Sequence, residues 1–221
     1  MAGRYCRVEP LDLERHARDL HQAYGEDRDG RLWSYLPYGP FPRLEDYLAH
    51  ATAAWLGDAR VVYAVIDLKA GKAVGQANYL NIDPSAGSIE IGGIIYAPIV
   101  QRTPAATEAM YLMIRRVFDE LGYRRYAWQC NALNAASRAA AKRLGFQFEG
   151  VFRQATVAKG RNRDTAWFSI IDDEWPSIKG AFERWLAPDN FDRDGRQRVS
   201  LSSLTDRSES QRKGAETGSA P

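Results

Sequence analysis

Cysteine and histidine are scarce in this chain, with two and three copies among 221 residues. Cys6 and Cys130 alone cannot form a disulfide framework, and three histidines leave little for a Cys/His zinc cage. No metal site is expected. Excess charge is missing as well, because 30 Lys and Arg face 28 Asp and Glu, a net +2. That balance argues against bulk electrostatic binding to nucleic acid or acidic membranes. The longest apolar run, Ile89 to Val100, is interrupted by Glu90 and Pro98 and is too short to span a bilayer. Met1–Leu20 is charged throughout, unlike the basic-then-apolar pattern of a secretory leader. These absences point to a soluble protein of a reducing compartment, expected in the cytoplasm, with neither membrane nor nucleic acid as partner.

What is present suffices for a core. The hydrophobic share is 45%, and the length suits one domain with an extension. Composition shifts near Pro188. From there to Pro221 the only large apolar residues are Phe191, Val199, Leu201 and Leu204, among six charges of each sign. So little burial is not expected to offset the ordering entropy. The expected organisation is therefore a domain over 1–187 and a disordered polar tail over 188–221.

Periodicity gives the order of elements. Arg4–Leu11 reads as a first strand, and Asp12 is placed to cap a helix reaching Tyr24. A loop rich in Gly, Pro and aromatics follows, Gly25–Phe41. Pro42 opens a second helix, whose apolar side is Leu44, Leu48, Ala51 and Trp55. Three β-rich runs with short turns, Val61–Leu68, Ala73–Ile82 and Ile89–Tyr96, read as an antiparallel meander. The period then switches to helical over Pro104–Leu121 and back to two over Tyr123–Cys130. That strand–helix–strand order predicts a parallel pair. Asn134 caps a short helix over Ala135–Leu144. A hairpin, Phe146–Val157 with Thr165–Ile171, turns around Lys159–Asp164, and a last helix covers Trp175–Leu186. The fold class is α/β (α+β): a mixed, mainly antiparallel sheet with one parallel pair between the fourth and fifth strands, and helices on both faces.

The most informative stretch runs from Ile89 to Ala109, a strand, a tight loop and a helix start. Such an arrangement can aim free N–H groups and a helix dipole at a phosphate, although an ordinary connection has the same form. The second is Asn131 to Phe146, where Asn134 and Ser137 stand three apart at a helix start just after the parallel strand. For Asn134 a capping role is also expected.

Together these stretches resemble the GNAT N-acetyltransferase superfamily, in the branch of the RimJ/RimL-type ribosomal-protein acetyltransferases. The residues that carry the resemblance are Pro98, Gln101, Ala106-Thr107-Glu108-Ala109, Asn134, Ser137 and Gly145-Phe146. It extends over roughly 7–175. One position departs from the pattern: Pro104 stands where the loop glycine is usual, and it lacks an N–H. The resemblance implies acetyl-CoA as cosubstrate, with the fourth and fifth strands splayed around its pantetheine arm. It places cofactor contacts at Ile94, Ile95 and Tyr96 on the strand, and at Gln101, Arg102 and Thr103 on the loop. It adds Ala105, Ala106 and Thr107 on the helix, and Asn131, Asn134 and Ser137 beyond the parallel strand. Gly92-Gly93 is a candidate bulge. The backbone N–H near Tyr96 would polarise the thioester carbonyl.

The resemblance also implies direct attack by a substrate amine, which needs a general base. Glu90 is the first candidate, and a carboxylate in a structural ion pair is the competing reading. Ser137 is the candidate proton donor to the departing thiolate, since the tyrosine position used by many relatives is Ala141. Trp33, Tyr35, Tyr38 and Phe41 would form an aromatic substrate wall, or else anchor their loop. The expected acceptor is a primary amine, on a small molecule or a peptide N-terminus. An acidic pocket would favour polyamines, and a narrow aromatic one amino acid conjugates. The alternative is a non-catalytic acyl-CoA-binding module that keeps the fold. The sequence leaves monomer or homodimer open.

Overall fold

The computed structural model describes residues 1–57 and 59–206. Cys6–Pro10 forms β1. Asp12 then caps helix α1, Leu13–Tyr24, accepting from the N–H groups of Glu14 and Arg15, the expected way to satisfy a first turn. Helix α2 spans Leu44–Trp55. The meander follows as β2, Arg60–Asp67, β3, Lys72–Asp83, and β4, Ser88–Tyr96. Thr103 caps α3, Pro104–Arg115, with Pro104 in its first turn. The helical stretch expected to reach Leu121 does so through a wider π-type turn, Arg116–Glu120. Strand β5 is Arg125–Asn131, and Asn134 caps α4, Ala135–Arg143, by accepting from Ser137 N–H. The closing hairpin is β6, Gln147–Ala158, with β7, Arg161–Ile171, followed by α5, Trp175–Leu186. The hairpin turn is shorter than expected, because Arg161–Asp164 already belong to β7.

The seven strands lie in the order β1-β2-β3-β4-β5-β7-β6. All neighbours are antiparallel except β4 and β5, which run parallel and pair only from Ser88↔Arg125 to Ile91↔Trp128. Beyond Ile91 the two strands part. The β3–β4 register slips between Gln76 and Asn78, beside Gly93, whose φ of 55° lies in the left-handed region. A Cβ there would fall 2.3 Å from Asn78 Nδ2, so Asn78 would have to shift, and the left-handed φ would add backbone strain. Glycine is what permits the bulge.

Alternation along the strands builds a core on each face. One holds Val65, Tyr79, Ile91, Tyr126 and Phe168 beneath α3, α4 and α5. The other holds Val62, Ala64 and Ile95 beneath α1 and α2. Glu108, in the first half of α3, is buried and accepts from the backbone N–H groups of Arg4, Tyr5 and Cys6 at 2.7, 2.6 and 2.9 Å. Its carboxylate clamps the chain's entry into β1.

The boundary expected at 187 does not hold. Pro188–Asn190 forms a 3-10 turn and Leu201–Thr205 a short helix, α6, whose Leu201 is fully buried. Phe191 stacks edge-on against Trp185 at 5.2 Å. Asn190 is knotted in by donating to Trp185 O and Val199 O, at 2.9 and 3.2 Å, and by accepting from Val199 N–H. A few anchors at specific sites offset the ordering entropy that mean composition suggested would win. The part of the expected tail over 207–221 lies outside the described residues. No helix among the described residues is long and apolar enough to cross a membrane.

Candidate active site

The parting of β4 from β5 opens a cleft of about 1880 Å³. Sheet alternation divides its lining in two, since Glu90, Gln129 and Trp167 stand on the α1/α2 face while Trp128 and Cys130 stand on the other.

On the first face, Glu90 is buried, 3% exposed, yet reaches the cleft. Its Oε2 accepts from Asn81 Nδ2 at 2.8 Å and from Gln129 Nε2 at 2.9 Å. Oε1 lies over the bulge, 3.4 Å from where a Cβ on Gly92 would sit. Burial raises the Glu90 carboxyl above its ordinary value, and the two amides and the nearby Arg163 charge only partly oppose this. No ion pair holds Glu90 among the described residues, so the structural salt-bridge reading fails. Asn81 sits at φ 46° to make its contact, a conformation that asparagine tolerates better than most residues.

The aromatic wall divides. Tyr35 and Tyr38 line the cleft, and Tyr35 Oη donates to Leu133 O at 3.0 Å, bridging the loop to the start of the α4 segment. Trp33 and Phe41 do not line it. They pack edge-on at 5.3 Å within the core under α1 and α2. The loop is further pinned by Lys159 Nζ, which donates to Trp33 O at 2.9 Å.

On the second face, Trp128 Nε1 donates to Ser137 Oγ at 3.0 Å. The Ser137 hydroxyl also stands within hydrogen-bonding reach of the Cys130 thiol, and the residue lines the cleft. Ile94, Tyr96, Gln101, Arg102, Ala106, Thr107, Asn131 and Asn134 also line the cavity. Gln101 folds back to donate to Tyr96 O at 2.8 Å, fixing the strand end. Arg102 turns the loop at φ 62°. Ile95, Thr103 and Ala105 are placed elsewhere. Ile95 points into the α1/α2 core, Ala105 into the opposite one, and Thr103 serves as the α3 cap.

Sequence reasoning missed Arg143. It donates to Thr107 Oγ1 at 3.1 Å and its guanidinium lies 5.0 Å over the Trp185 ring. Burial pulls it below its ordinary value, and no carboxylate pairs with it among the described residues. Trp185 in turn donates to Gln197 Oε1 at 2.8 Å, so the ordered C-terminal segment walls this end of the cleft with Phe191, Arg196 and Gln197. An unpaired, half-buried guanidinium facing the start of α3 is a ready anion site. The spacing of Arg143 from Thr107 along the chain gave no signal of this contact.

Comparison with known proteins decides the family. The model of the GNAT acetyltransferase domain matches residues 7–147. The chain belongs to the GNAT acetyltransferases. Among solved structures, this GNAT protein is similar to a GCN5-related N-acetyltransferase from Brucella melitensis, 45% identical over 92% of each chain, with a TM-score of 0.90. A GNAT-family protein from Chromobacterium violaceum is 40% identical over 79% of this chain and 87% of its own, with a TM-score of 0.74. YdaF of Bacillus subtilis, named provisionally as a ribosomal N-acetyltransferase, is 28% identical over 78% of this chain and 92% of its own. The GNAT fold thus accounts for the seven-stranded sheet and its single parallel pair.

Proposed function

We propose that this GNAT protein transfers an acetyl group from acetyl-CoA to a primary amine, of a small molecule or a peptide N-terminus, by direct attack in a ternary complex. The observation that carries this reading is the splayed β4/β5 cleft, with Glu90 aimed at the β4 bulge from one face and Ser137 set on the other. The residues present fit acetyl-CoA. Strand β4 beyond Ile91 has no β5 partner and offers its backbone, and Arg143 offers an unpaired cation where phosphates would lie. Pro104 lines the same wall without an N–H, so direct charge from Arg143 and Arg102 takes over part of what a glycine loop would supply.

Bound acetyl-CoA supplies the acetyl group as a thioester open to attack by an amine. Glu90, in its ionised form, takes the ammonium proton through Oε1 or a bridging water. Asn81 and Gln129 hold the other oxygen and so fix the carboxylate plane. Ser137 donates its hydroxyl hydrogen toward the departing sulfur, positioned by Trp128. Neither cysteine is suited to carry the acetyl group covalently. Burial raises both thiols, Cys6 and Cys130, away from the reactive thiolate. Kinship with the RimJ/RimL branch is supported by the Asn134/Ser137 pair and by the likeness to YdaF, and a cytoplasmic location accords with it.

The test combines acetyl-CoA titration calorimetry with a free-CoA release assay over a panel of amines. Saturable binding and amine-dependent release are expected. Binding without release on any amine would favour the non-catalytic acyl-CoA module, and no binding at millimolar ligand would end the acetyltransferase reading.

A further inference from the structure

The two ends of the cleft differ in charge. Among the described residues, the carboxylates that line it are Glu26, Asp27, Asp29 and Glu90. All four belong to the Gly25–Phe41 loop or to the α1/α2 face of β4. The opposite end, walled by α3, α4 and the C-terminal segment, is lined by three cations, Arg102, Arg143 and Arg196, and by none of these carboxylates. Such an excess at one end of a near-neutral protein marks a place for a multiply charged anion. Arg102 sits on the loop before α3, and Arg143 bonds Thr107 near the start of that helix. Arg196 comes from farther along the chain, beyond residue 147, where the match to the GNAT domain ends.

The segment gives Arg196 a rigid mount. Asp192 Oδ1 accepts from the N–H groups of Asp194 and Arg196 at 2.9 and 2.8 Å, and Asp192 N–H donates to Arg196 O at 3.0 Å. Gly195 closes this turn at φ 76°, a conformation that glycine adopts without strain. Beneath the turn Phe191 packs on Trp185, and Gln197 accepts from Trp185 Nε1. Thr205, the last residue of α6, donates to Arg143 O at 3.1 Å. The same segment therefore fixes the end of α4 that carries Arg143. Arg196 itself is only loosely engaged. It pairs with Asp194 at 3.4 Å, and both side chains are largely exposed. A pair of that kind is worth little in water, so the guanidinium can change partner at small cost.

Coenzyme A carries a diphosphate within its chain and a separate phosphate on the ribose 3′ oxygen. The reading above gives the diphosphate to Arg102 and Arg143, which leaves the third cation for the third phosphate. We propose that the turn over 192–197 recognises the ribose 3′-phosphate of acetyl-CoA, with Arg196 pairing it, so that the protein selects coenzyme A over its 3′-dephospho form. This rests on acetyl-CoA binding in the cleft, and it adds a contact that neither the β4/β5 splay nor the start of α3 supplies. A guanidinium suits a terminal phosphate, which it can meet with two parallel N–H groups.

The test is titration calorimetry of the full chain with coenzyme A and with 3′-dephospho-coenzyme A, at low and at physiological salt. At low salt we expect coenzyme A to bind about fivefold or more tightly than the dephospho form, a preference that shrinks as salt rises. Arg196→Gln is expected to remove that preference by weakening coenzyme A alone, with partial recovery in Arg196→Lys. Arg143→Gln should weaken both ligands alike, because both keep the diphosphate. Should Arg196→Gln not fold, Asp194→Asn reads the same contact from the other side: freeing the guanidinium should tighten coenzyme A about twofold and leave the dephospho form unchanged. Equal affinity for the two ligands in the unsubstituted protein would overturn the proposal and leave the acetyltransferase reading standing. So would a parallel loss on both ligands in Arg196→Gln, or a loss confined to coenzyme A in Arg143→Gln. Absence of binding by either ligand at millimolar concentration would remove both readings.

Discussion

The two faces of the β4/β5 cleft solve different problems with the same sheet. On the α1/α2 face, Glu90 is buried, makes no ion pair among the described residues and is held by neutral amides, so desolvation raises its carboxyl and the nearby Arg163 charge only partly opposes this. On the α3/α4 face, Arg143 is half-buried with no carboxylate partner among the described residues and is held by a hydroxyl and an indole ring. Both are charges taken from water and left incompletely compensated, which a fold selected for stability alone would avoid. The difference lies in sign and in use. A raised carboxylate gains basicity toward an ammonium proton, whereas an unpaired guanidinium cannot titrate usefully and can only attract an anion. Under the proposed function, the acceptor face would move a proton and the donor face would hold a phosphate.

Replacing each charge in turn separates these roles. Glu90→Gln should show the largest effect, lowering kcat about 10²–10⁴-fold while acetyl-CoA affinity measured by calorimetry stays the same. A parallel loss of affinity would merge the two faces. In the unsubstituted protein the rate should fall as pH drops through the Glu90 pKa, which is raised, so the acidic limb lies above that of an ordinary carboxylate. The stability sign is opposite. A raised carboxyl favours the folded state while protonated, a contribution present at low pH and lost as pH rises through the folded pKa. Glu90→Gln should therefore raise the melting temperature at neutral pH, and a lowered one would mean that the carboxylate is structurally required.

Arg143→Gln comes next. Loss of one charge-assisted contact should weaken acetyl-CoA about 10–100-fold, with the acceptor KM unchanged. Undiminished affinity would assign the phosphates to Arg102 or to the loop backbone instead. Ser137→Ala should have the smallest effect, a roughly tenfold lower kcat, or about 1.4 kcal/mol of barrier, at unchanged affinity. Native turnover in this variant would pass the proton-donor role to water.

Much of the scaffold is legible from local signals. Asp12, Thr103 and Asn134 cap helices that begin at the next residue, and the change from period two to helical period marks β4 and α3. Glu90 and Ser137 are singled out by the family resemblance rather than by any local signal of their own. Their surroundings are less readable. Asn81 and Gln129 reach Glu90 from two other strands, 9 and 39 positions away in the chain, and neither has a distinctive local pattern. Trp33 and Phe41 resemble Tyr35 and Tyr38 in sequence, yet only the fold of their loop sends one pair inward and the other to the cleft.

The C-terminal segment shows the limit most sharply. Mean polarity argues for disorder, because composition averages over residues and says nothing of where each lands. Phe191, Asn190 and Leu201 each find a prepared place against Trp185 and the α5 surface, and the segment becomes a wall of the cleft. The sequence by itself determined the elements from β1 to α5 in outline, their order and the parallel crossover, since caps and periodicity act over a few residues. Tertiary structure alone decided which charges lost their partners. Glu90 and Arg143 acquire their character from burial and from strands or helices distant in sequence, and desolvation is a property of the packed sheet rather than of any one segment.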